Sequence, residues 1–346
     1  MKLSLFWQHV TNIPSTDSTS LAYFNYIGLN VLSHPTAMNL ALAHRRGLSS
    51  VPMGRLYKGI LLAGGAGSRL HPLTAIVSKQ LQPVYDKPMI YYPLATLLEN
   101  GIRDICLIST EDQLPFYRKL LGDGSRLGIA IDYRVQPRPD GIAQAFLIAE
   151  SFLAGEPAAL ALGDNILHGA ASLAAPFHEF ETGATIFAYE VHNPQRYGVV
   201  EFSPAGDVLS IEEKPAQPKS NHAVPGLYLF DGDAAQFAKT LRPSRRQELE
   251  ITDLIAIYHG RQSLRVVPLP RGFAWLDAGT SSSLHEASSY VQTLEKRQGI
   301  KIGCPEEAAY RAGLIDREKF ERLVHDMPEC EYRDHLARVA GSPRAF

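Results

Sequence analysis

Hydrophobic and polar positions follow two alternating patterns between residues 56 and 162. Short apolar runs that predict buried strands lie at residues 58–63, 105–109, 129–135 and 158–162. Apolar positions at helical spacing, which predict helices, lie at residues 89–100, 114–121 and 142–153. Strands that alternate with helices of this length predict βαβ units. We therefore expect a mostly parallel sheet with helices on both faces and right-handed crossovers.

The pattern changes after Gly183, where strands follow one another without long helices between them. The predicted strands here are residues 184–191, 198–202, 209–212 and 223–230, and they indicate a small antiparallel β subdomain. Helical spacing returns at residues 234–241, 251–259 and 284–298. The stretch 305–339 is mostly helical and charged, which favours a segment that packs on the surface of the domain before it.

The first 52 residues do not share the pattern of the rest. They contain one acidic residue, Asp17, and the first arginine is Arg45, so they do not resemble a transit peptide; the apolar run after Lys2 is too short for a secretory signal. We predict a poorly ordered extension over residues 1–52, with Met53 as an alternative start. A catalytic domain is predicted over residues 53–300, and a helical C-terminal segment over residues 301–346.

Composition narrows the class of protein. Of 346 residues, 34 are Lys or Arg and 36 are Asp or Glu, so the net charge is −2 and a general nucleic-acid binder is disfavoured. No apolar stretch approaches the roughly 20 residues that a membrane helix needs. Three dispersed cysteines make neither a zinc cluster nor a disulfide framework. We therefore expect a soluble, cytoplasmic enzyme.

A glycine-rich stretch directly follows the first predicted strand. It reads Leu62-Ala-Gly-Gly-Ala-Gly-Ser-Arg-Leu70, and such a loop lets backbone N–H groups approach phosphate oxygens while an arginine adds charge. It matches neither the P-loop, whose Gly-Lys spacing fails here, nor the dinucleotide fingerprint, because Leu70 stands where a glycine is required. The alternative interpretation is an ordinary tight turn.

Three further charged positions extend the candidate site. Asp164 follows the predicted strand at residues 158–162, and Asp277 lies in an apolar stretch, residues 273–279, that ends in glycine. In open α/β sheets, ligands bind at the carboxyl ends of the strands. Two carboxylates with substrate phosphates are typical of Mg²⁺ binding. Lys79 can reach a phosphate, although a surface lysine and turn aspartates are the plainer alternatives. With no nucleophile suggested, the set favours phosphoryl-group chemistry.

These residues resemble the sugar-nucleotide pyrophosphorylases. The resemblance covers about residues 56–334 and rests on motifs that include Leu62-Ala-Gly-Gly-Ala-Gly-Ser-Arg69, Ser78-Lys-Gln80, Gly163-Asp-Asn165, Arg196-Tyr-Gly198, Glu212-Glu-Lys-Pro215 and Trp275-Leu-Asp277. It implies an α/β, Rossmann-like nucleotide-diphospho-sugar transferase fold. It also implies a Mg²⁺-dependent reaction of dTTP with glucose 1-phosphate that gives dTDP-glucose and pyrophosphate, and a homotetramer with a regulatory nucleotide site between subunits.

The resemblance also implies a role for each matched residue. Triphosphate contacts are expected from Gly64, Gly65, Gly67, Ser68, Arg69 and Lys79, with Arg69 also stabilising the transition state. Nucleotide contacts are expected from Gln80, Gln136 and Gly141, and Mg²⁺ binding from Asp164 and Asp277. Glucose contacts are expected from Asn165, Gly198, Glu213 and Val224, and neutralisation of the sugar phosphate from Lys214 and Arg246.

Three positions depart from the pattern of that family. Gln247 stands where glycine is usual, Ala278 and Pro225 stand where threonine is usual, and none of these changes removes a charge. Activity is therefore expected, with altered kinetics. Two alternatives stay open: an enzyme that uses UTP or another sugar 1-phosphate, and a non-catalytic nucleotide sensor. The second predicts loss of charged site residues, which are all present.

Overall fold

The computed structural model describes residues 56–65, 67–169 and 171–342, with only the backbone at Ala171. The predicted extension over residues 1–52 lies outside the described residues. The strands are β1 Lys58–Leu62, β2 Pro83–Val84, β3 Lys87–Pro88, β4 Asp104–Ser109, β5 Ala130–Val135, β6 Ala158–Leu162, β7 Asn165–His168, β8 Ala184–Glu190, β9 Gly198–Phe202, β10 Val208–Glu213, β11 His222–Ala223, β12 Leu227–Phe230, β13 Leu264–Pro268 and β14 Ala274–Asp277.

The helices alternate with these strands and then form the C-terminal part. They are α1 Tyr91–Glu99, α2 Leu114–Leu121, α3 Gln144–Ile148, α4 Glu150–Leu153, α5 Ala171–His178, α6 Ala234–Ala238, α7 Ile251–Gly260, α8 Ser281–Gln298, α9 Pro305–Arg311, α10 Arg317–His325 and α11 Glu331–Gly341. Within the described residues, none of them is long and apolar enough to cross a membrane.

One mixed sheet of ten strands organises the described part of the chain. Strands β6, β1, β4 and β5 are neighbours and run parallel, while β12, β8, β11, β9 and β10 continue the same sheet mainly through antiparallel pairs. The antiparallel strands expected after Gly183 are therefore an extension of the central sheet. The expected α/β fold, with a mixed sheet and a parallel centre, is confirmed.

Both faces of the parallel strands are buried, which explains their continuous apolar runs. Leu61 of β1 faces one hydrophobic core, together with residues of α1 and α2. Its neighbours Ile60 and Leu62 face a second core, together with residues of α3, α6 and α7. Successive side chains of a strand point to opposite faces, so a strand covered by helices on both faces needs apolar residues at every position.

The sheet forks at a break between β11 and β12. Both strands pair with β8, but β12 pairs on its other side with β6, and β11 pairs with β9. Two residues of the break bind the two branches: the Val224 N–H donates to Gly198 O at 2.9 Å, and the Leu162 N–H donates to Gly226 O at 2.8 Å. The continuous strand predicted over residues 223–230 is therefore wrong.

Other differences from the predicted elements are local. The helix expected over residues 142–153 is divided at Ala149, although the N–H of Ala149 still donates to Ala145 O and the N–H of Leu153 to Ala149 O. The pattern also missed β7, α5, β13 and β14. The two strands β7 and β14, four residues each, are defined by pairing with each other, which a local pattern does not report.

The C-terminal helices complete the core that contains α1. Tyr310 of α9 stacks on Phe320 of α10 with ring centroids 4.4 Å apart, and Leu336 of α11 is fully buried in the same cluster. These contacts bury the apolar stripe of each helix, and in α9 Glu306 is buried as well. The division into domains at residues 53 and 300 stays a prediction.

Candidate active site

A cavity of about 230 Å³ opens at the fork of the sheet. It lies at the carboxyl ends of the central strands, where ligands of open α/β sheets bind. Eight predicted site residues line it, and these are Arg69, Asp164, Asn165, Gly198, Glu213, Lys214, Val224 and Asp277. These predicted sugar, metal and charge-neutralising residues are therefore brought together from six separate segments of the chain. Arg246 does not line the cavity, but its Nη2 donates to Oε1 of Glu213 at 3.0 Å.

The glycine loop lies at the carboxyl end of β1. Gly65 and Gly67 have φ angles of +95° and +56°, in the left-handed region that glycine adopts without a steric penalty. Gly67 O accepts hydrogen bonds from the Leu70 N–H and from Oγ1 of Thr74, both at 2.9 Å, which close a short 3₁₀ turn over Ser68–Leu70. Arg69 projects from this turn as an exposed cation at the cavity.

Two glutamines predicted to contact the nucleotide border Gly64. Nε2 of Gln80 donates to Gly64 O at 3.1 Å, and an added Cβ at Gly64 would lie 1.8 Å from Oε1 of Gln136. Oε1 of Gln80 is buried and has no hydrogen-bond partner among the described residues. Because a buried acceptor without a partner is costly, this oxygen is suited to a ligand donor. Gly141 packs against the backbone of Leu249, and a hydrogen-bonded chain through Gln144 links its neighbour Asp140 to Gln136.

Lys79 and Asp164 form a buried ion pair between the glycine loop and the cavity. Lys79 is 8% exposed and its Nζ contacts Oδ2 of Asp164, so the alternative of a surface lysine is wrong. Burial raises the pKa of Asp164, but the ammonium charge and hydrogen bond of Lys79 outweigh it and leave the pKa below its usual value. Asp164 is therefore held ionised beside a cation, rather than being a plain turn residue.

Asp277 is the second carboxylate of the site. Strand β14 pairs with β7 so that Asp277 lies opposite Asn165, the neighbour of Asp164. Its Oδ2 is 3.4 Å from Nη2 of Arg196. Burial raises the pKa of Asp277, and the negative charge of Asp164 raises it further. Nearby cations lower this pKa, but by less, so it stays above its usual value. Two neighbouring carboxylates repel each other, and a divalent cation bound between them would remove this repulsion.

The side chain of Asn165 is held by donors from two directions. Its Oδ1 accepts from Nε1 of Trp275 at 2.6 Å and from the Gly226 N–H at 2.9 Å. Its Nδ2 then donates to Oδ1 of Asp164 at 2.9 Å. Because Oδ1 receives two donors, the amide orientation is determined. Asn165 therefore connects the break in the sheet to the carboxylate of Asp164.

Charged residues of the sugar side converge on Glu213. Its Oε1 lies 3.3 Å from Nζ of Lys214 and 3.0 Å from Nη2 of Arg246, while Oγ1 of Thr252 donates to Oε2 at 3.4 Å. Lys214 has a φ of +43°, a strained conformation for a lysine. The N–H of Lys214 donates to Tyr197 O at 3.0 Å, which holds this conformation.

Several cavity residues were not among the predicted contacts. Tyr197 and Trp275 form an aromatic wall with ring centroids 4.7 Å apart, and Arg196, Thr252, Tyr228 and Ile142 also line the cavity. A signal was available for two of them, because Tyr197 directly precedes Gly198 and Trp275 lies two residues before Asp277, on the same face of β14. Thr252 and Tyr228 come from elements that only the tertiary fold brings here.

Two of the three unusual positions fit their surroundings, and the third is strained. Ala278 is fully buried in an apolar cluster with Ile166 and Val291, where a hydroxyl group would need a partner. Pro225 lies in the sheet break, whose hydrogen bonds use the N–H groups of Val224 and Gly226 instead. Gln247 has a φ of +62°, the region that favours glycine, so this position carries backbone strain.

Fold and site together define an enzyme that transfers a nucleotidyl group. The family model described as nucleotidyl transferase matches residues 58–293. Proteins named glucose-1-phosphate thymidylyltransferase are 51% identical over 285 residues in Xanthomonas campestris pv. campestris and 53% over 288 residues in Neisseria meningitidis serogroup A; the matches cover 82% of this chain and 97% and 99% of those proteins. The chain belongs to the nucleotidyl transferase family, and within it to the glucose-1-phosphate thymidylyltransferases.

Solved structures agree with this fold. A crystal structure from Bacillus anthracis, described as a glucose-1-phosphate thymidylyltransferase in complex with a sucrose, has a TM-score of 0.63 and 38% identity. The match covers 68% of this chain and 94% of that chain. A UDP-glucose pyrophosphorylase complexed with UDP-glucose has a TM-score of 0.61 at 22% identity, covering 69% and 99%, which is a likeness of fold alone. The family generally uses a divalent metal.

Proposed function

We propose that the chain transfers the thymidylyl group of dTTP to glucose 1-phosphate. A phosphate oxygen of the sugar phosphate attacks the α-phosphorus of dTTP, the new P–O bond forms, and the bond to the β-phosphate oxygen breaks. The products are dTDP-glucose and pyrophosphate. The observation that carries the proposal is the buried Lys79–Asp164 pair beside Asp277, which lies between the glycine loop and the cavity.

The glycine loop would hold the triphosphate. Gly64, Gly65, Gly67 and Ser68 offer backbone N–H groups, and the exposed Arg69 would stabilise the charge that develops at the α-phosphate. The ammonium group of Lys79, which contacts Asp164, would then contact the phosphates as well. Gln80, Gln136 and Gly141 would contact the nucleotide, with the partnerless Oε1 of Gln80 available to a donor of the base or sugar.

The donor set suits Mg²⁺. Carboxylate oxygens are the ligands that Mg²⁺ prefers, and it commonly takes one or two of them together with substrate phosphates and water. In the described residues, no group of three or more His, Cys, Asp or Glu side chains could hold a metal, so Asp164 and Asp277 would share the ion with the substrate. When bound, Mg²⁺ would neutralise phosphate charge and polarise the P–O bond under attack.

The fork of the sheet would bind the sugar phosphate. Asn165, Gly198, Glu213 and Val224 line the cavity at the height of the break and can contact glucose hydroxyls. Lys214 and Arg246, both close to Glu213, would neutralise the phosphate group. The aromatic wall of Tyr197 and Trp275 provides an apolar surface of the kind against which a sugar ring packs.

We further propose a cytoplasmic homotetramer that acts on these small molecules and does not bind nucleic acid or membranes. The near-neutral charge disfavours nucleic-acid binding, and no apolar stretch approaches the length that a membrane helix needs. Light scattering on the purified chain would measure the assembly, and a monomer at micromolar concentration would contradict the tetramer.

Steady-state kinetics of pyrophosphate release would test the activity. With Mg²⁺ and glucose 1-phosphate, we expect kcat/KM to favour dTTP over UTP by about 10- to 100-fold, because one methyl-sized contact contributes ~1–3 kcal/mol. A clear preference for UTP would contradict the nucleotide assignment. Binding of dTTP without release of pyrophosphate would favour the alternative of a non-catalytic sensor.

A further inference from the structure

Arg246 is held by a carboxylate that lies outside the cavity. Glu250 makes a two-point contact with the guanidinium: Nε of Arg246 donates to Oε1 at 3.1 Å and Nη2 donates to Oε2 at 2.7 Å. Two parallel N–H···O bonds of this kind determine the orientation of the guanidinium plane as well as its distance. Nη1 has no protein partner among the described residues, so one edge of the guanidinium remains available to a ligand.

The turn that carries Arg246 is built around the same carboxylate. The Gln247 N–H donates to Ser244 O and the Ser244 N–H donates to Glu248 O, both at 2.9 Å. Oγ of Ser244 accepts from the Arg246 N–H at 3.1 Å and donates to Oε1 of Glu250 at 2.6 Å. Ser244 therefore connects the backbone of Arg246 to the carboxylate that holds its side chain.

Glu250 is committed to this contact. It is the residue before α7 and makes no capping hydrogen bond to that helix. Its side chain is 8% exposed, against 40% for Glu248, which also approaches Nη2 of Arg246 at 3.4 Å. A buried two-point contact determines geometry, whereas an exposed single contact is screened by water.

We propose that Glu250 is a positioning residue that orients Arg246 toward the phosphate of the sugar substrate. This inference rests on the proposed function, in which Arg246 neutralises that phosphate. Glu250 does not touch the substrate; it acts by holding one edge of the guanidinium so that the Nη1 edge meets a phosphate oxygen without a search among side-chain rotamers.

Because Glu250 is negatively charged, an effect of its charge and an effect of orientation would change KM for the sugar phosphate in opposite directions. Glu213, Glu248 and Glu250 surround Arg246 and weaken its attraction for an anion. If Glu250 acted only through its charge, its neutralisation would strengthen binding of the sugar phosphate and lower its KM. If Glu250 acts by orientation, its neutralisation raises that KM instead.

Glu250→Gln and Glu250→Asp distinguish the effect of the carboxylate charge from the effect of side-chain length. Glutamine keeps the length but presents an amide N–H to the Arg246 donors; aspartate keeps the charge but is one methylene shorter. We expect each to raise KM for glucose 1-phosphate about tenfold and to leave KM for dTTP within about twofold. Glu248→Gln is the matched control in the same turn, with an expected change below about twofold.

Arg246→Gln tests the role of Arg246 in phosphate binding separately from the positioning role of Glu250. If it leaves KM for glucose 1-phosphate unchanged, the proposed role of Arg246 is wrong and the inference falls with it. If it raises KM while both Glu250 variants do not, only the positioning role is wrong. Thermal unfolding is recorded for each variant that folds, because Glu250 variants with a lower melting temperature and an equal loss of activity with both substrates would overturn the inference.

Ser244→Ala provides a second way to perturb the same contact. If the Glu250 variants do not fold, this variant removes the hydroxyl that holds Oε1 of Glu250, and KM for glucose 1-phosphate should rise about threefold. An unchanged KM would then overturn the positioning role.

Discussion

The two sides of the active site are built in different ways. The nucleotide side is mostly one continuous stretch, in which the glycine loop, Lys79 and Gln80 follow β1 within about twenty residues. The sugar side gathers residues from β7, β9, β10, the break between β11 and β12, and β14 around one cavity. Local backbone preference shapes the first, and strand pairing across the sheet shapes the second.

One glycine on each side illustrates the difference. At Gly64, the three atoms nearest an added Cβ all belong to the side chain of Gln136. At Gly226, it would lie 2.6 Å from Leu162 and 2.8 Å from Cγ of Asn165, inside the packed fork. A defect on the nucleotide side can therefore stay local, whereas one on the sugar side spreads to other strands.

Asp277→Asn tests the point where both sides meet and should have the largest effect. With one metal-binding carboxylate removed, we expect kcat to fall at least about 100-fold. The melting temperature should be unchanged or higher. Burial and Asp164 raise the pKa of Asp277, so its ionised form costs folding free energy at pH values above that pKa, and asparagine removes this cost.

The matched control for Asp277→Asn is Glu179→Gln, which removes a carboxylate from the exposed pair with Arg265. It should leave both kcat and the melting temperature unchanged. Full activity of Asp277→Asn would contradict the metal-binding role.

Gly226→Ala should damage the sugar side more than the nucleotide side. Displacement of Leu162 and Asn165 should raise KM for glucose 1-phosphate about thirtyfold and cost about 1–3 kcal/mol of unfolding free energy. The control is Gly260→Ala, because a Cβ there meets no atom within 4 Å. Equal increases in KM for both substrates would show that the two sides are not separable.

Gly64→Ala is the corresponding change on the nucleotide side. Because Gln136 must move, KM for dTTP should rise about tenfold while KM for glucose 1-phosphate stays within twofold. Differential scanning calorimetry should show a smaller fall in melting temperature than for Gly226→Ala, since the atoms nearest the added Cβ belong to one side chain. A loss of stability as large as that of Gly226→Ala would remove the contrast between the sides.

Gln247→Gly should have the smallest effect. Glycine relieves a left-handed conformation that costs about 1 kcal/mol, but it increases the entropy of the unfolded chain by about 0.5–1 kcal/mol in free energy. Urea unfolding should therefore detect a change within about 0.5 kcal/mol, and KM for glucose 1-phosphate should change less than twofold. A large increase in KM would indicate that Gln247 itself helps to position Arg246.

The sequence predicted the parallel half of the fold closely. Strand β6 and helix α2 have the predicted bounds, and Gly122 ends α2 with a φ of +65°. The reason is that strands buried on both faces and helices with one apolar stripe leave strong local patterns. Strand β7 left no such pattern and β14 only a short apolar stretch, because each strand is short and only partly buried and depends on the other for its hydrogen bonds.

The site residues show the same contrast between what the sequence predicts and what strand pairing determines. Asp164 and Asp277 were recognisable as strand-end carboxylates, but their relation to each other depends on the pairing of β14 with β7. Trp275 lay in a recognised motif, yet its hydrogen bond to Asn165 joins residues 110 positions apart. No local pattern reports such a contact.

The sequence by itself determined the residues that carry charge and the loop that approaches phosphate, because glycine conformation and side-chain chemistry are local properties. The tertiary structure alone decided that β11 and β12 separate, that the cavity opens at their break, and that Glu250 holds Arg246. The first two features arise from hydrogen bonds between distant segments, whose pairing depends on the whole sheet having formed. The third is a contact between residues four positions apart, which the local turn around Ser244 creates.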